Sequence, residues 1–286
     1  MRGFLVVLAL LGGCMPVEQR ATLVSRFVWA EDAPEFGGFS GITVLDGGTG
    51  FIALNDKGRV WQGALLRENG QIVGVDSSAR WRLRDADGRP LVQDFNDSEG
   101  LARLSDGSIA ISFEGMDPRV AIYTDLAAAP AFVLRTPDFE RFVGNNSLES
   151  VAVDTSGAIY TIPERSGRAQ WPFPVYKFAD GVAEIAFTIP RRGAFLVVGA
   201  DIGPDGLLYV LERDFTGLGF RSRVRRFNLS GGAEEMLLQS RNGQHDNLEG
   251  ISVWQDSDGG LIMTLIADDN FKFFQRTEFV EYRIDG

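Results

Sequence analysis

The 286-residue sequence holds one cysteine, Cys14, and one histidine, His245. A single thiol makes no disulfide within the chain, and one imidazole without a second thiol is not a zinc donor set. Basic residues are short as well: 28 Lys and Arg stand against 39 Asp and Glu, a formal net charge of −11. Binding nucleic acid requires a basic footprint that displaces counterions, so this balance argues against that partner and fits a cation-binding or simply soluble protein. The apolar run over residues 4–11 is too short to span a bilayer as a mature helix. There is no Gly-x-Ser-x-Gly elbow and no phosphate-binding glycine loop, which removes the usual support for a serine hydrolase or nucleotide hydrolase. Neither a nucleotide nor a haem is expected.

Arg2 is the sole charge ahead of the apolar run, the pattern of a signal peptide over residues 1–13. The Leu11-Gly12-Gly13-Cys14 segment that follows resembles the lipobox of bacterial lipoproteins. That resemblance implies lipidation of Cys14 and a periplasmic protein. Met15 in place of Asp implies the outer membrane, held stably by several acyl chains. Residues 14–20 would be lipidated terminus and tether, and residues 21–286 a single domain, expected as a monomer that touches the membrane only through its anchor.

What the chain has in abundance is a repeat. Asp246-Asn247-Leu248-Glu249-Gly250-Ile251 is echoed by Asn96-Asp97-Ser98-Glu99-Gly100-Leu101 and by Asn146-Ser147-Leu148-Glu149-Ser150-Val151; a degenerate copy runs from Gly38 to Val44. The small residue after the acidic slot falls at Gly41, Gly100, Ser150, Gly199 and Gly250, at spacings of 59, 50, 49 and 51 residues. Each copy leads a short apolar run, a glycine turn such as Asp106-Gly107, and a second run closing on an acid. A period near 50 residues that holds four short strands is a propeller blade. Five blades account for the chain, with a sixth, degenerate blade as the alternative. The fifth blade is one strand short, and residues 21–29 supply it, so that the N-terminal strand closes the ring and no radial edge stays open.

Inner strands of a propeller line its channel, so the repeated slot gathers Glu99, Glu149 and Glu249 at one mouth, with Ser40 and Val198 replacing the acid in blades one and four. A second set ends the next strand: Asp56-Lys57, Glu114, Glu164-Arg165, Glu212-Arg213 and Asp268-Asp269. Antiparallel pairing brings Glu99 towards Glu114, Glu149 towards Glu164 and Glu249 towards Asp268. Converging carboxylates repel unless a cation or proton sits among them, and an oxygen-only set suits Ca²⁺. Glu99, Glu149, Glu164, Glu212, Glu249 and Asp268 are therefore candidate ligands. The bland alternative is that each acid merely bonds a neighbouring turn. Lys57, Arg165 and Arg213 either pair with the acids or bind an anionic substrate. His245 is expected near the same mouth, as a candidate general acid or base or as a solvated loop residue. Trp171-Pro172-Phe173-Pro174 reads as a loop platform.

The motifs Asp97-Ser98-Glu99-Gly100-Leu101, Ser147-Leu148-Glu149-Ser150 and Asp246-Asn247-Leu248-Glu249-Gly250, with strands ending in Glu-Arg, resemble the phytase-like family, also described by an esterase-like activity of phytase. The resemblance runs from about residue 36 to 284. It implies a β-propeller and hydrolysis of a phosphoester or other ester. The alternatives are a non-catalytic propeller that binds an envelope ligand or protein, and a lactonase-like metal-dependent hydrolase served by Asn145, Asn146 and Asn247.

Overall fold

The computed structural model describes residues 19–142 and 148–285. Cys14, Asn145 and Asn146 lie outside them, as do the proposed signal peptide and most of the tether. The strands form five four-stranded antiparallel sheets, and the first strand, β1 (Ala21–Val28), belongs to the last of them. Blade 1 is β2 (Phe39–Leu45), β3 (Gly50–Asn55), β4 (Arg59–Glu68) and β5 (Gln71–Arg82). Blade 2 is β6 (Ser98–Arg103), β7 (Ile109–Phe113), β8 (Arg119–Tyr123) and β9 (Phe132–Leu134). Blade 3 is β10 (Leu148–Val153), β11 (Ile159–Pro163), β12 (Phe173–Ala179) and β13 (Val182–Ile189). Blade 4 is β14 (Leu196–Ile202), β15 (Leu208–Phe215), β16 (Phe220–Phe227) and β17 (Glu235–Gln239). Blade 5 joins β18 (Asn247–Gln255), β19 (Leu261–Asp268) and β20 (Glu278–Ile284) to β1, in the order β1-β20-β19-β18. Five blades and the closing N-terminal strand are as the sequence predicts.

Closure has an apolar seal. Trp29, just past β1, stacks on Phe39 of blade 1 at 4.8 Å between ring centroids and on Phe279 of blade 5 at 5.5 Å. These rings join Phe51 and Trp61 in a buried cluster between the first and last blades. The β1–β20 pairing therefore carries a packed interface as well as backbone hydrogen bonds.

The repeated small residue has a steric cause. Inner strands of a five-blade ring approach one another closely: a Cβ at Gly199 would lie 2.4 Å from the carbonyl oxygen of Glu249 in the next blade, and one at Gly100 would lie 2.7 Å from the Val151 nitrogen. Backbone atoms cannot swing aside as a flexible side chain can. The Gly199→Ala variant is expected to lose about 1–3 kcal/mol of stability to this overpacking. Urea unfolding checks it, and an unchanged midpoint would contradict the close approach. Side chains also latch blade to blade: Ser40 Oγ donates to the Ser98 carbonyl at 2.7 Å, and Val44 N donates to Ser252 Oγ at 3.0 Å.

At the far end of the channel, Asp201 Oδ2 accepts the Val253 N–H of blade 5 at 2.7 Å and Oδ1 accepts the Ile202 N–H at 2.8 Å. Burial outweighs those hydrogen bonds and pushes its carboxyl up to about 7. A carboxyl raised in the fold and ordinary when unfolded contributes stability below about pH 4 that is lost as pH rises towards 7. The stability difference between wild type and Asp201→Asn, from urea midpoints at pH 4.5 and 7.5, should therefore shift in favour of the variant at the higher pH. A difference independent of pH would contradict the raised carboxyl.

Candidate functional site: an acidic mouth divided by one arginine

A β-bulge sits at the acidic slot in every blade. Pairing of inner strand to second strand skips Ser40 in blade 1, Glu149 in blade 3, Val198 in blade 4 and Glu249 in blade 5, and skips Glu99 with Gly100 in blade 2. A bulged residue leaves the ladder and its side chain is re-aimed. The sequence repeat thus encodes a repeated backbone irregularity.

Register also defines the partner slot. The residue before each bulge region pairs with Asn55, Phe113, Pro163, Glu212 or Ala267, and the next residue outward is Asp56, Glu114, Glu164, Arg213 or Asp268. In blade 4 the slot belongs to Arg213, which corrects the expectation that Glu212 occupies it. Successive strand residues face opposite sides of a sheet, so the offset of one residue sends Glu212 to the other face. There Glu212 is fully buried, and its two oxygens accept Nε and Nη2 of both Arg223 and Arg225 at 2.7–2.9 Å. With both oxygens engaged by guanidinium groups it does not belong to the ligand set.

Arg213 reaches into the ring. It bonds the Glu249 carboxylate closely, donates to Asn247 Oδ1 at 2.9 Å and lies 3.6 Å from Glu164. Burial works against its charge, but Glu249, Glu149, Glu164 and Asp268 together raise its pKa above the ordinary value. Asn247 Nδ2 ties the same corner by donating to Glu249 at 2.9 Å and to Asp268 at 3.3 Å.

In the other half of the mouth, no arginine among the described residues pairs with Asp97 or Glu99. Asp97, Glu99 and Glu114 each present an oxygen, and the three atoms lie within 4.8 Å of one another, the only such group of three acids among the described residues. Burial pushes Glu99 well above the usual carboxylate range, reinforced by Glu149, Glu114, Asp97 and Glu249. Glu149 is raised in the same way by burial, then by Glu114, Glu164 and Glu249, against Arg213. Burial and Glu249 lift Asp268 to about 8, and burial and Asp268 lift Asp56 to about 7. Asp56 Oδ1 is buried with no hydrogen-bond partner. Protons or a cation must neutralise this cluster.

The pairs expected from antiparallel register, Glu99 with Glu114, Glu149 with Glu164 and Glu249 with Asp268, are all brought together. Asp97, which opens the blade 2 motif, is the member missing from the ligands expected from sequence. Its signal was the i, i+2 spacing to Glu99, which puts both on one face of an extended chain.

Beside the Arg213 half opens a pocket of about 980 Å³, lined among others by Glu164, Arg165, Arg213, Asn247, Lys272 and Arg276. Arg165 is half exposed and donates to Glu164 at 2.9 Å. His245 lines this pocket as expected, but it is buried. Its Nε2 lies 2.6 Å from the Tyr282 hydroxyl, and burial lowers its pKa, so the ring is neutral at physiological pH. Lys57 is exposed, with its ammonium 2.9 Å from the centroid of the Phe271 ring. Of the expected platform, Trp171 is exposed with Arg168 over it, whereas Phe173 is fully buried core.

Fold and mouth together define a five-bladed β-propeller whose channel entrance is an oxygen-rich, acidic ring. The phytase-like family model, described by an esterase-like activity of phytase, matches residues 34–271, and the chain belongs to that family. No curated protein sequence matches it. Among solved structures, the chain is similar to the calcium-binding protein regucalcin from Agrobacterium tumefaciens, with 12% identity, a TM-score of 0.52 and coverage of 94% of this chain and 97% of that one. It is also similar to the catalytic domain of the Coprinopsis cinerea GH62 α-L-arabinofuranosidase, with 11% identity, a TM-score of 0.53 and coverage of 93% and 97%. At these identities the likeness is one of fold.

Proposed function

We propose that the protein is a divalent-cation-dependent ester hydrolase, with Ca²⁺ the fitting ion and a phosphoester the fitting substrate. The observation that carries this reading is the division of the mouth. Asp97, Glu99 and Glu114 converge in one half, where burial and neighbouring carboxylates raise Glu99 and Glu149, while Arg213 compensates the Glu164–Glu249 side and faces an open pocket. The donor set fits a hard cation, since every candidate ligand is a carboxylate oxygen and neither imidazole nor thiolate takes part. Asp97, Glu99 and Glu114 would hold the ion, with Glu149 next to them. A bound cation there supplies Lewis-acid polarisation of a phosphoryl or carbonyl oxygen and a lowered pKa for water.

The chain's own side chains do the rest. Arg213 and Arg165 take the substrate anion by charge-assisted hydrogen bonds. Asn247 and Glu249 hold the Arg213 guanidinium in place, so it enters the reaction pre-oriented. His245 is committed to Tyr282 and forms pocket wall rather than anion site.

Turnover of p-nitrophenyl phosphate and p-nitrophenyl acetate with Ca²⁺ and with chelator tests the reading. It expects Ca²⁺-dependent turnover that Arg213→Gln lowers by about 10²-fold, the scale of losing one preorganised charged group. No turnover under any condition would sink the enzyme reading and leave a ligand-binding propeller. We further propose that Cys14 anchors the protein by lipid on the periplasmic side of the outer membrane. Acyl labelling that persists in Cys14→Ser would contradict this.

A further inference from the structure

We infer that the ester accepted beside Arg213 carries an apolar group, an alkyl or aryl tail, rather than being a compact polyanion. The inference rests on the anion site of the proposed function and names its substrate class. The pocket of about 980 Å³ is far larger than one phosphate, and its walls divide by chemistry. Arg165, Arg213, Lys272 and Arg276 are its cations, while Leu196, Phe215, Leu218, Phe220 and Phe274 are its apolar face.

Three of those apolar side chains stand in solvent: Leu218 is 94% exposed, Phe274 67% and Phe215 61%. Large apolar side chains gathered around one pocket mark a surface built to be covered. The lips are also fixed. On one side Phe215 and Phe220 pair across a hairpin with rings 5.0 Å apart, and the turn between them is closed by the Thr216 N–H donating to the Gly219 carbonyl at 3.0 Å. On the other, Asp246 accepts Gln275 Nε2 at 3.0 Å and the Arg276 N–H at 2.9 Å, which pins the loop that carries Phe274. A preformed pocket with a few convergent charges and an apolar wall orients an amphiphile: the anion goes to the guanidinium groups and the tail goes to the lip. A compact polyanion would leave that wall uncovered.

The test is calorimetric titration of the full chain, in Ca²⁺, with methyl, butyl and octyl phosphate below their micellar concentrations. Octyl phosphate should bind at least about tenfold more tightly than methyl phosphate, since each buried methylene contributes up to about fourfold. Leu218→Ser combined with Phe274→Ser should bring the octyl value towards the methyl value. Both side chains are surface residues, so the variant is expected to fold, and unchanged urea unfolding verifies it. A flat series across chain length overturns this inference while the anion site stands. No binding by any member overturns the inference and the reading beneath it.

Discussion

Truncation of Glu212 to alanine is expected to destabilise the protein by about 3–5 kcal/mol, the scale for removing one partner of a fully buried ion pair. For a domain of this size that corresponds to roughly 10 °C in the thermal midpoint. The reason is the state left behind. Arg223 and Arg225 are buried, and each donates two hydrogen bonds to Glu212. Without the carboxylate, two guanidinium groups stay in the sheet interior with only Glu234 bonded to Arg225 at 2.6 Å. Arg20→Ala provides the contrast. Its pair with Glu235 is equally short at 2.7 Å, but Arg20 is 58% exposed, so its loss should cost less than about 1 kcal/mol. Thermal unfolding of both variants checks the ranking. Because Glu212 lies on the face away from the mouth, Ca²⁺ should raise the midpoint of Glu212→Ala by as much as that of wild type.

Ca²⁺ itself should stabilise the wild type by about 2.7 kcal/mol at a hundredfold excess over its dissociation constant, or roughly 5–10 °C. Replacing Glu99 by Gln should reverse its sign with conditions. In chelator the variant should equal or exceed the wild type, because Glu149, Glu114, Asp97 and Glu249 all oppose the Glu99 charge. In Ca²⁺ it should fall below the wild type, having exchanged one of three converging carboxylates for a neutral amide. A structural latch behaves differently: its removal lowers stability in both conditions. Scanning calorimetry of the two proteins in both buffers separates the possibilities.

Blade number and closure were legible because the determinants are local and repeated. Apolar alternation, turn glycines and a small residue at a fixed place in each repeat are all written in single strands. The outer strands were less so. Strand β5, the last of blade 1, spans Gln71–Arg82. Only Ile72 of that strand is buried, so β5 is held by pairing with β4 rather than by an apolar face that patterning could reveal.

The mouth was half legible for a related reason. Acid pairs across a hairpin follow from antiparallel register, and those were foreseen. The sequence puts Glu212 in the ring and leaves Arg213 either pairing with the acids or binding an anion, because both acids and arginines end the second strands, and a bulge shifts register by one residue in a way that composition does not display. That single residue decides which side chain enters the channel. The structure consequently turns a ring of acids into two halves, one compensated by Arg213 and one where Asp97, Glu99 and Glu114 converge.

Anomalous diffraction from crystals grown with Tb³⁺, a lanthanide substitute for Ca²⁺, tests that division most directly. A peak bounded by the carboxylates of Asp97, Glu99 and Glu114 is expected, as is its loss in Glu99→Gln. A peak confined to another part of the surface, or none while the three carboxylates keep their positions, would contradict it.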